Sequence, residues 1–398
     1  MRQINNAKEL LMSSLIDKKE KLFEIADYIH DNPETGYNEY KACKVLSEYL
    51  QQNGFEVEIG YGGLQTAFRA VYKNGEGGPC IGFLCEYDAL EKLGHGCAHH
   101  LQGPSVIGAA ITLKEANLQN PFSIEVIGTP AEETAEGGKT IMLKNGAFKN
   151  LDVALMMHGG DATITDIRSL ALSEYVVTFK GISSHSAIAP EKGRSALEAI
   201  ILSFNGLAYL RGHVRDDVRI HGIIEDGGSS VNAIPENSSA RFEFRSYSRK
   251  YLDNVIERGI KIFDGAALMT ETSYTIKKIV DFHNKIPVMS LNDLLMENAK
   301  IAGASRISPP RERTGSTDFA SVMYNVPGSC IRVPFVEKGV PSHSKEWVEK
   351  GKSDDAHNAL LLAAKILSMT AYDLITDNKL MIKIREEFNK EKLKNSEL

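Results

Sequence analysis

The feature that most constrains this chain is a set of short apolar runs that stop abruptly in polar or glycine-rich loops. Ile81-Gly-Phe-Leu-Cys85 gives way to Glu86-Tyr-Asp88, Phe122-Ser-Ile-Glu-Val-Ile127 to Gly128-Thr-Pro-Ala-Glu-Glu133, and Val153-Ala-Leu-Met-Met157 to His158-Gly-Gly. Runs this short, bounded by turn residues, read as buried strands. Helical spacing separates them over 104–117 and about 137–147, and precedes them over 8–31 and 38–53. Strands alternating with helices build a largely parallel sheet covered on both faces. Such sheets bind their ligands outside the carboxyl ends of the strands. Residue types that hold metal ions or move protons fall just past those ends, and this coincidence directs the functional reading.

From about residue 172 the texture changes. Ser173-Glu-Tyr-Val-Val-Thr-Phe-Lys180 alternates like a half-exposed strand, followed by a helix over 195–210, a strand over 218–224 and another ending at Ala240-Arg-Phe-Glu-Phe-Arg245. A helix over about 249–266 and a strand over about 272–280 complete a β-α-β-β-α-β order, the ferredoxin-like pattern. The spacing predicts an α/β catalytic domain in two parts, 1–171 and 284–398, with 172–283 inserted as a small α+β domain. Two units also suit 398 residues, because single cores rarely keep growing beyond about 250–300. The main sheet is expected to resume with a helix over 291–303, a Gly315-Ser-Thr-Asp318 loop and a strand over 329–334. A last helix over about 354–374 leads into a charged tail.

Charge excludes some roles. The net charge is −6 with both signs interspersed, so no basic stripe is available to neutralise nucleic-acid phosphates. The N-terminal residues lack the apolar core of a signal peptide, and no run of about 20 apolar residues is expected to span a bilayer. Cys43, Cys80, Cys85, Cys97 and Cys330 form an odd, scattered set, which fits reduced thiols in a cytoplasmic protein.

Cys97 stands apart. It lies two residues from His99 in Gly94-His-Gly-Cys-Ala-His-His-Leu-Gln-Gly103, and residues i and i+2 of an extended loop point the same way. Thiolate and imidazole together suit a borderline-soft ion such as zinc. A buried cysteine beside a capping histidine would explain the pair alone; the surrounding histidines and glycines favour a site. Glu132 and Glu133 follow a strand and project differently, so one carboxylate can ligate an ion while the other holds a water. Taken alone, they would read as an acidic start to the next helix. His158 is followed by two glycines that permit close backbone approach. His343, in Val340-Pro-Ser-His-Ser-Lys-Glu-Trp347, lies beyond the last strand. With Cys97, His99 and Glu133 these supply enough ligands for two divalent ions, and Asp88 is placed to orient one ligand from behind. Zinc suits the thiolate best; manganese, cobalt or nickel fit the same donors. His30, His213, His221, His283 and His357 are read as structural or surface residues.

In their order the motifs resemble the binuclear-metal amidohydrolase and peptidase family of aminoacylase, carboxypeptidase G and the auxin-conjugate hydrolases. The likeness runs from about residue 20 to 375 and is strongest to the aminobenzoyl-glutamate hydrolase and β-alanyl dipeptidase subgroup. It rests on Glu86-Tyr-Asp88-Ala-Leu, the His95-to-His99 element and Gly128-Thr-Pro-Ala-Glu-Glu133. The resemblance implies a zinc-peptidase-type fold that hydrolyses an N-acyl amino acid, a dipeptide or a similar small carboxylate-bearing amide. It makes Cys97 the ligand shared by both ions, Glu132 the general base, and His99, Glu133, His158 and His343 the remaining ligands. The inserted domain becomes a lid and homodimerisation unit. In it, His185 resembles the residue that stabilises the tetrahedral oxyanion, sometimes across the dimer. Asn232 and Arg245 resemble the pair that holds a substrate carboxylate, as an arginine fork can.

Two positions depart from the family pattern. Ala98 replaces a usual glycine, a strain if the backbone there needs positive φ. His100 replaces a usual aspartate or asparagine, and is expected to alter metal preference. The alternative left open is a catalytically inactive small-molecule-binding protein of the same fold.

Overall fold

The structure, a computed structural model, describes residues 6–312 and 314–397, so the extreme ends of the expected 1–171 and 284–398 segments lie outside the described residues. The chain divides into two compact units. One runs to Arg168 and resumes over Lys285–Leu393; the other comprises Ser169–Asn284 and the residues from Lys394.

The strands in chain order are β1 (Glu56–Ile59), β2 (Phe68–Asn74), β3 (Cys80–Cys85), β4 (Phe122–Gly128), β5 (Val153–Gly160), β6 (Ile164–Thr165), β7 (Ala171–Lys180), β8 (Arg219–Asp226), β9 (Asn237–Ser246), β10 (Ser273–Phe282) and β11 (Gly328–Pro334). The larger unit carries the sheet β1-β2-β4-β3-β5-β11-β6. Its centre, from β4 through β11, is parallel; β1, β2 and β6 are antiparallel additions at the edges. Every residue of β3 and β5 is buried, which explains their unbroken apolar character: a strand covered on both faces has no side to show water. Phe83, Val126, Leu155 and Ile331 pack into one core with the helices Gln102–Glu115 and Asp354–Thr376. Leu84, Ile127, Met156 and Cys330 face a second, smaller core with Met142, Phe148 and Phe319.

The inserted unit is built differently. Its sheet, β10-β7-β9-β8, is antiparallel throughout, with the ferredoxin-like connectivity. β9 alternates buried and half-buried residues because one face meets two helices and the other is open. Those helices, Ala196–Arg211 and Arg249–Thr270, begin at Ser195 and Ser248, whose hydroxyls accept from the backbone N–H groups of Glu198 and Tyr251.

Some expectations change. The helical stretch over 8–31 is two helices, Asn6–Ile16 and Lys19–Asp31, and the charged tail is a helix, Asn378–Glu397. The helix Asp354–Thr376 is long and apolar enough to cross a bilayer by length and composition, contrary to the expectation that no such run exists; most of its apolar stretch is buried inside the larger unit.

Candidate metal centre

The loops after β3 and β4 and the end of β5 bring the expected residues together. Asp88, just past β3, links two of them: its Oδ1 is 3.1 Å from His99 Nδ1, and its Oδ2 accepts from the Glu133 backbone N–H at 2.8 Å. With Nδ1 held by a carboxylate, His99 presents Nε2 as a ligand nitrogen. His158 is fixed similarly, with Nδ1 2.7 Å from the Gly159 carbonyl oxygen and Nε2 3.4 Å from Cys97 Sγ. β5 continues to Gly160, so His158 lies within the strand rather than at its end. A Cβ at Gly159 would lie 2.8 Å from the Phe335 ring and 3.0 Å from the Ala98 methyl, so this approach requires glycine. The His343 backbone N–H donates to the Gly96 carbonyl at 2.9 Å, which pins its loop against the Cys97 loop.

These contacts create two ligand trios. Cys97, His99 and His158 offer donor atoms all within 4.8 Å of one another, as do Cys97, Glu133 and His343; the two trios share Cys97. The donors fit divalent cations. His99 Nε2 and Glu133 Oε1 are both buried without a hydrogen-bond partner, although His343 Nε2 lies 3.3 Å from that Glu133 oxygen. Ligands on one tetrahedral ion with bonds of 2.0–2.1 Å are themselves about 3.3 Å apart. Burial pushes the Cys97 thiol up to about 12 despite the pull of His99. Burial would lower His99, but Cys97, Glu86 and Asp88 raise it well above the ordinary imidazole value. Both protons sit where a divalent cation would take their place.

Glu132 lies beside this centre. Its Oε2 is 4.0 Å from His99 Nε2, its Oε1 accepts from the Thr317 hydroxyl at 3.1 Å, and its side chain is 18% exposed. Burial, reinforced by the charges of Glu86 and Asp318, raises its proton affinity well above the usual carboxylate range. Ala98, Ala131 and His343 adopt left-handed backbone, with φ of 60°, 63° and 60°. Of the eight non-glycine residues with positive φ among the described residues, these three lie at or beside ligand positions and carry backbone strain there. The concern over Ala98 therefore has a physical basis. His100, by contrast, turns away: its Nε2 is 2.8 Å from the Gly351 carbonyl oxygen and its ring packs on His30 and His95. It belongs to neither trio, which removes the structural ground for expecting it to change metal preference.

Residues given no role in the sequence complete the surroundings. Lys139, fully buried, bridges Glu86 and Asp318 at 2.6 and 2.8 Å. Burial would raise Glu86, but Lys139, His99 and His158 outweigh it and hold that carboxyl near 2. Arg332, paired with His158 across β11 and β5, places Nη1 3.0 Å from His158 Nδ1. Glu39, fully buried, accepts from the Ala131 backbone N–H at 2.7 Å and the Thr66 hydroxyl at 2.9 Å; burial raises it to about 7. No local pattern announces Lys139, Arg332 or Glu39, since their partners are distant in sequence, whereas Glu86 stands in the motif just past β3.

In the inserted unit, His185 and Asn232 are neighbours. The Ser186 N–H donates to the Asn232 carbonyl at 3.0 Å, and both side chains are exposed. Arg245 does not join them. Asn232 precedes the start of β9 at Asn237, whereas Arg245 lies near its far end, opposite Leu172 of β7. Eight residues of strand separate those ends, about 26 Å at 3.3 Å per residue. Within one chain, Asn232 and Arg245 therefore cannot grip one carboxylate, and the Arg245 fork instead holds Glu243 on its own strand at 2.6 and 2.8 Å.

Comparison with known proteins agrees with this geometry. Residues 82–368 match the family described as Peptidase family M20/M25/M40. The chain is 35% identical over 391 residues to the human Xaa-Arg dipeptidase, covering 93% of this chain and 89% of the relative. It is 29% identical to a p-aminobenzoyl-glutamate hydrolase polypeptide of Escherichia coli, covering 93% and 92%. Among solved structures, the aminobenzoyl-glutamate utilization protein of Klebsiella pneumoniae shares the fold with a TM-score of 0.71 at 20% identity, over 91% of this chain and 98% of that one. The YXEP protein of Bacillus subtilis, described as a dinuclear metal binding peptidase, does so with 0.70 at 18% identity, over 90% and 98%. The chain thus belongs to the M20/M25/M40 peptidase family and is a metal-dependent hydrolase of amide bonds.

Proposed function

We propose that this enzyme cleaves the amide bond of a dipeptide or N-acyl amino acid, using two divalent ions that share Cys97. The observation that carries the reading is the meeting of two ligand trios at Cys97 with Glu132 alongside. When bound, the ions supply Lewis acidity, polarising the scissile carbonyl and acidifying the attacking water. Glu132 takes the proton of that water and returns it to the departing amine nitrogen. Asp88 keeps His99 oriented and positions Glu133 through its backbone. His185 stabilises the developing oxyanion, and Asn232 and Arg245 recognise the substrate carboxylate. Zinc is the ion that best matches thiolate and imidazole, with manganese, cobalt or nickel as the other candidates.

The relatives' names, a dipeptidase for Xaa-Arg and a hydrolase for p-aminobenzoyl-glutamate, support an amide between an acyl group and an amino acid as substrate. The distance between Asn232 and Arg245 supports a homodimer, with His185 and Asn232 of one protomer serving the substrate bound by its partner. Exposed Ile223 and Ile224 on the edge strand β8, with Tyr209 on the adjoining helix, support self-association of the inserted unit. Five free cysteines support a cytoplasmic setting.

The test is Glu132→Gln, assayed on a panel of dipeptides and N-acyl amino acids. Zinc content should be unchanged and kcat of the zinc-loaded enzyme should fall roughly 10³-fold or more, in the range a positioned general base supplies. Retained turnover would remove Glu132 from the mechanism.

A further inference from the structure

Glu86 has no part in the mechanism above, yet it faces the metal centre. It follows β3 directly and is 1% exposed. Its Oε2 lies 3.2 Å from His99 Nε2, and that nitrogen still has no hydrogen-bond partner. Two polar atoms this close that do not bond each other are arranged like two ligands of a third atom. Glu86, His99 and Glu132 indeed form a further trio with donor atoms within 4.8 Å.

The chemistry of this trio differs from that of its neighbour. Cys97, His99 and His158 offer one thiolate and two imidazoles, a soft set. Glu86, His99 and Glu132 offer two carboxylates and one imidazole, a hard set. His99 stands between them.

The Glu86 carboxylate is also firmly built. Its Oε2 accepts from Gln102 Nε2 at 2.6 Å, and its Oε1 accepts from Lys139 Nζ at 2.6 Å. Lys139 is held in turn by Asp318, whose Oδ1 accepts from the ammonium at 2.8 Å and whose Oδ2 accepts from the Lys139 backbone N–H at 2.9 Å. One ammonium between two buried carboxylates leaves one negative charge over. A buried negative charge is costly unless positive charge faces it, and the His99 ring stands on that side. The Glu86 oxygen turned to His99 is Oε2, which keeps a lone pair beyond the one that Gln102 engages.

We propose that Glu86 is an additional metal ligand and the residue that sets metal selectivity, giving the ion on His99 an oxygen-rich position that hard divalent cations such as manganese occupy. A soft ion such as zinc takes the position toward Cys97 and His158 instead. Because the two positions share one imidazole, a single ion occupies one or the other. This rests on the two-ion reading of the preceding subsection.

The experiment measures dissociation constants for manganese and zinc on metal-stripped protein by competition with a chelating dye, for wild type and Glu86→Gln. The substitution removes one charge while Lys139 keeps Asp318, and circular dichroism reports whether the variant folds. Manganese affinity should fall roughly tenfold or more while zinc affinity stays within about threefold, the scale seen when a group at a metal site is lost. Equal changes for the two ions, or no change in either, overturn the proposal while leaving the two-ion centre standing. Wild-type protein that takes up neither ion overturns both. If the variant does not fold, X-ray absorption on wild type decides: manganese-loaded protein should show about half the sulfur per ion of zinc-loaded protein, because only one ion then touches Cys97. Equal sulfur counts for the two metals overturn the proposal.

Discussion

The two units treat their functional residues in opposite ways. In the larger one, His99 is fully buried, Asp88 ties it to the Glu133 backbone, and two ligand trios close on Cys97. In the inserted one, His185 and Asn232 stand exposed at one end of β9 and Arg245 lies near the other, its fork taken by Glu243. The first set is preorganised by its own chain, as electrostatic catalysis requires. The second is spread along one strand, and on the proposed reading a second copy supplies what the first does not reach. On that reading the difference separates residues that make the chemistry possible from residues that make it depend on assembly.

The largest effect that could break this comparison comes from the inserted unit. His185→Ala and Arg245→Ala, each purified alone, should lose about 10²–10³-fold in kcat/KM, the scale of a lost oxyanion donor or bidentate partner. If their residues serve the same substrate from different protomers, dissociating and mixing the two inactive variants should restore about a quarter of wild-type sites, those intact in mixed dimers. No recovery would mean that each chain works alone.

A second prediction concerns how firmly the larger unit holds its loops. Glu39 supports the Ala131 backbone, and burial raises its folded pKa to about 7 from the ordinary 4.5. A carboxyl whose folded pKa is raised favours the folded state fully below 4.5, and that contribution is lost as pH rises through about 7. Chemical denaturation between pH 5 and 8 should therefore show a loss of up to about 3 kcal/mol that Glu39→Gln removes. A variant with the same pH slope as wild type would remove Glu39 as its source.

The smallest expected effect sharpens the comparison. Ala98 holds φ of 60° next to the shared ligand, a conformation that costs a non-glycine residue about 1–2 kcal/mol. Ala98→Gly should raise stability by less than about 1 kcal/mol, since glycine also loses more chain entropy on folding. Metal content should not change. A drop in stability would show that the methyl's packing against Gly159 matters more than the strain.

Much of the larger unit is legible in the sequence because its chemistry sits where strands end. Buried strands print as unbroken apolar runs, so the residues just beyond them can be picked out, and Asp88, Cys97, His99 and Glu133 do converge there. β1 and β2 escape such a reading; β1 is a short edge strand, β2 lies next to it, and the residues of both are mostly not buried, so no apolar run marks them. Lys139 is invisible for a different reason. Its partners lie 53 and 179 residues away, and a buried ion network leaves no periodic trace. Asn232 and Arg245 read as one pair because motif order records which residues occur, and says nothing about which end of a strand each occupies. His100 reads by residue type alone, whereas its direction is set by the helical turn that starts at His99 and carries the next side chain to the opposite side.

The measurement that tests the central claim most directly is metal content per chain, by plasma mass spectrometry on protein purified without chelator, for wild type and Cys97→Ala. A thiolate shared by two ions predicts near two equivalents in wild type. In the variant, both ions should be weakened together and the content should fall well below one. A variant that keeps two equivalents would contradict Cys97 as the shared ligand, and a wild type that binds one ion at most would contradict the binuclear centre itself.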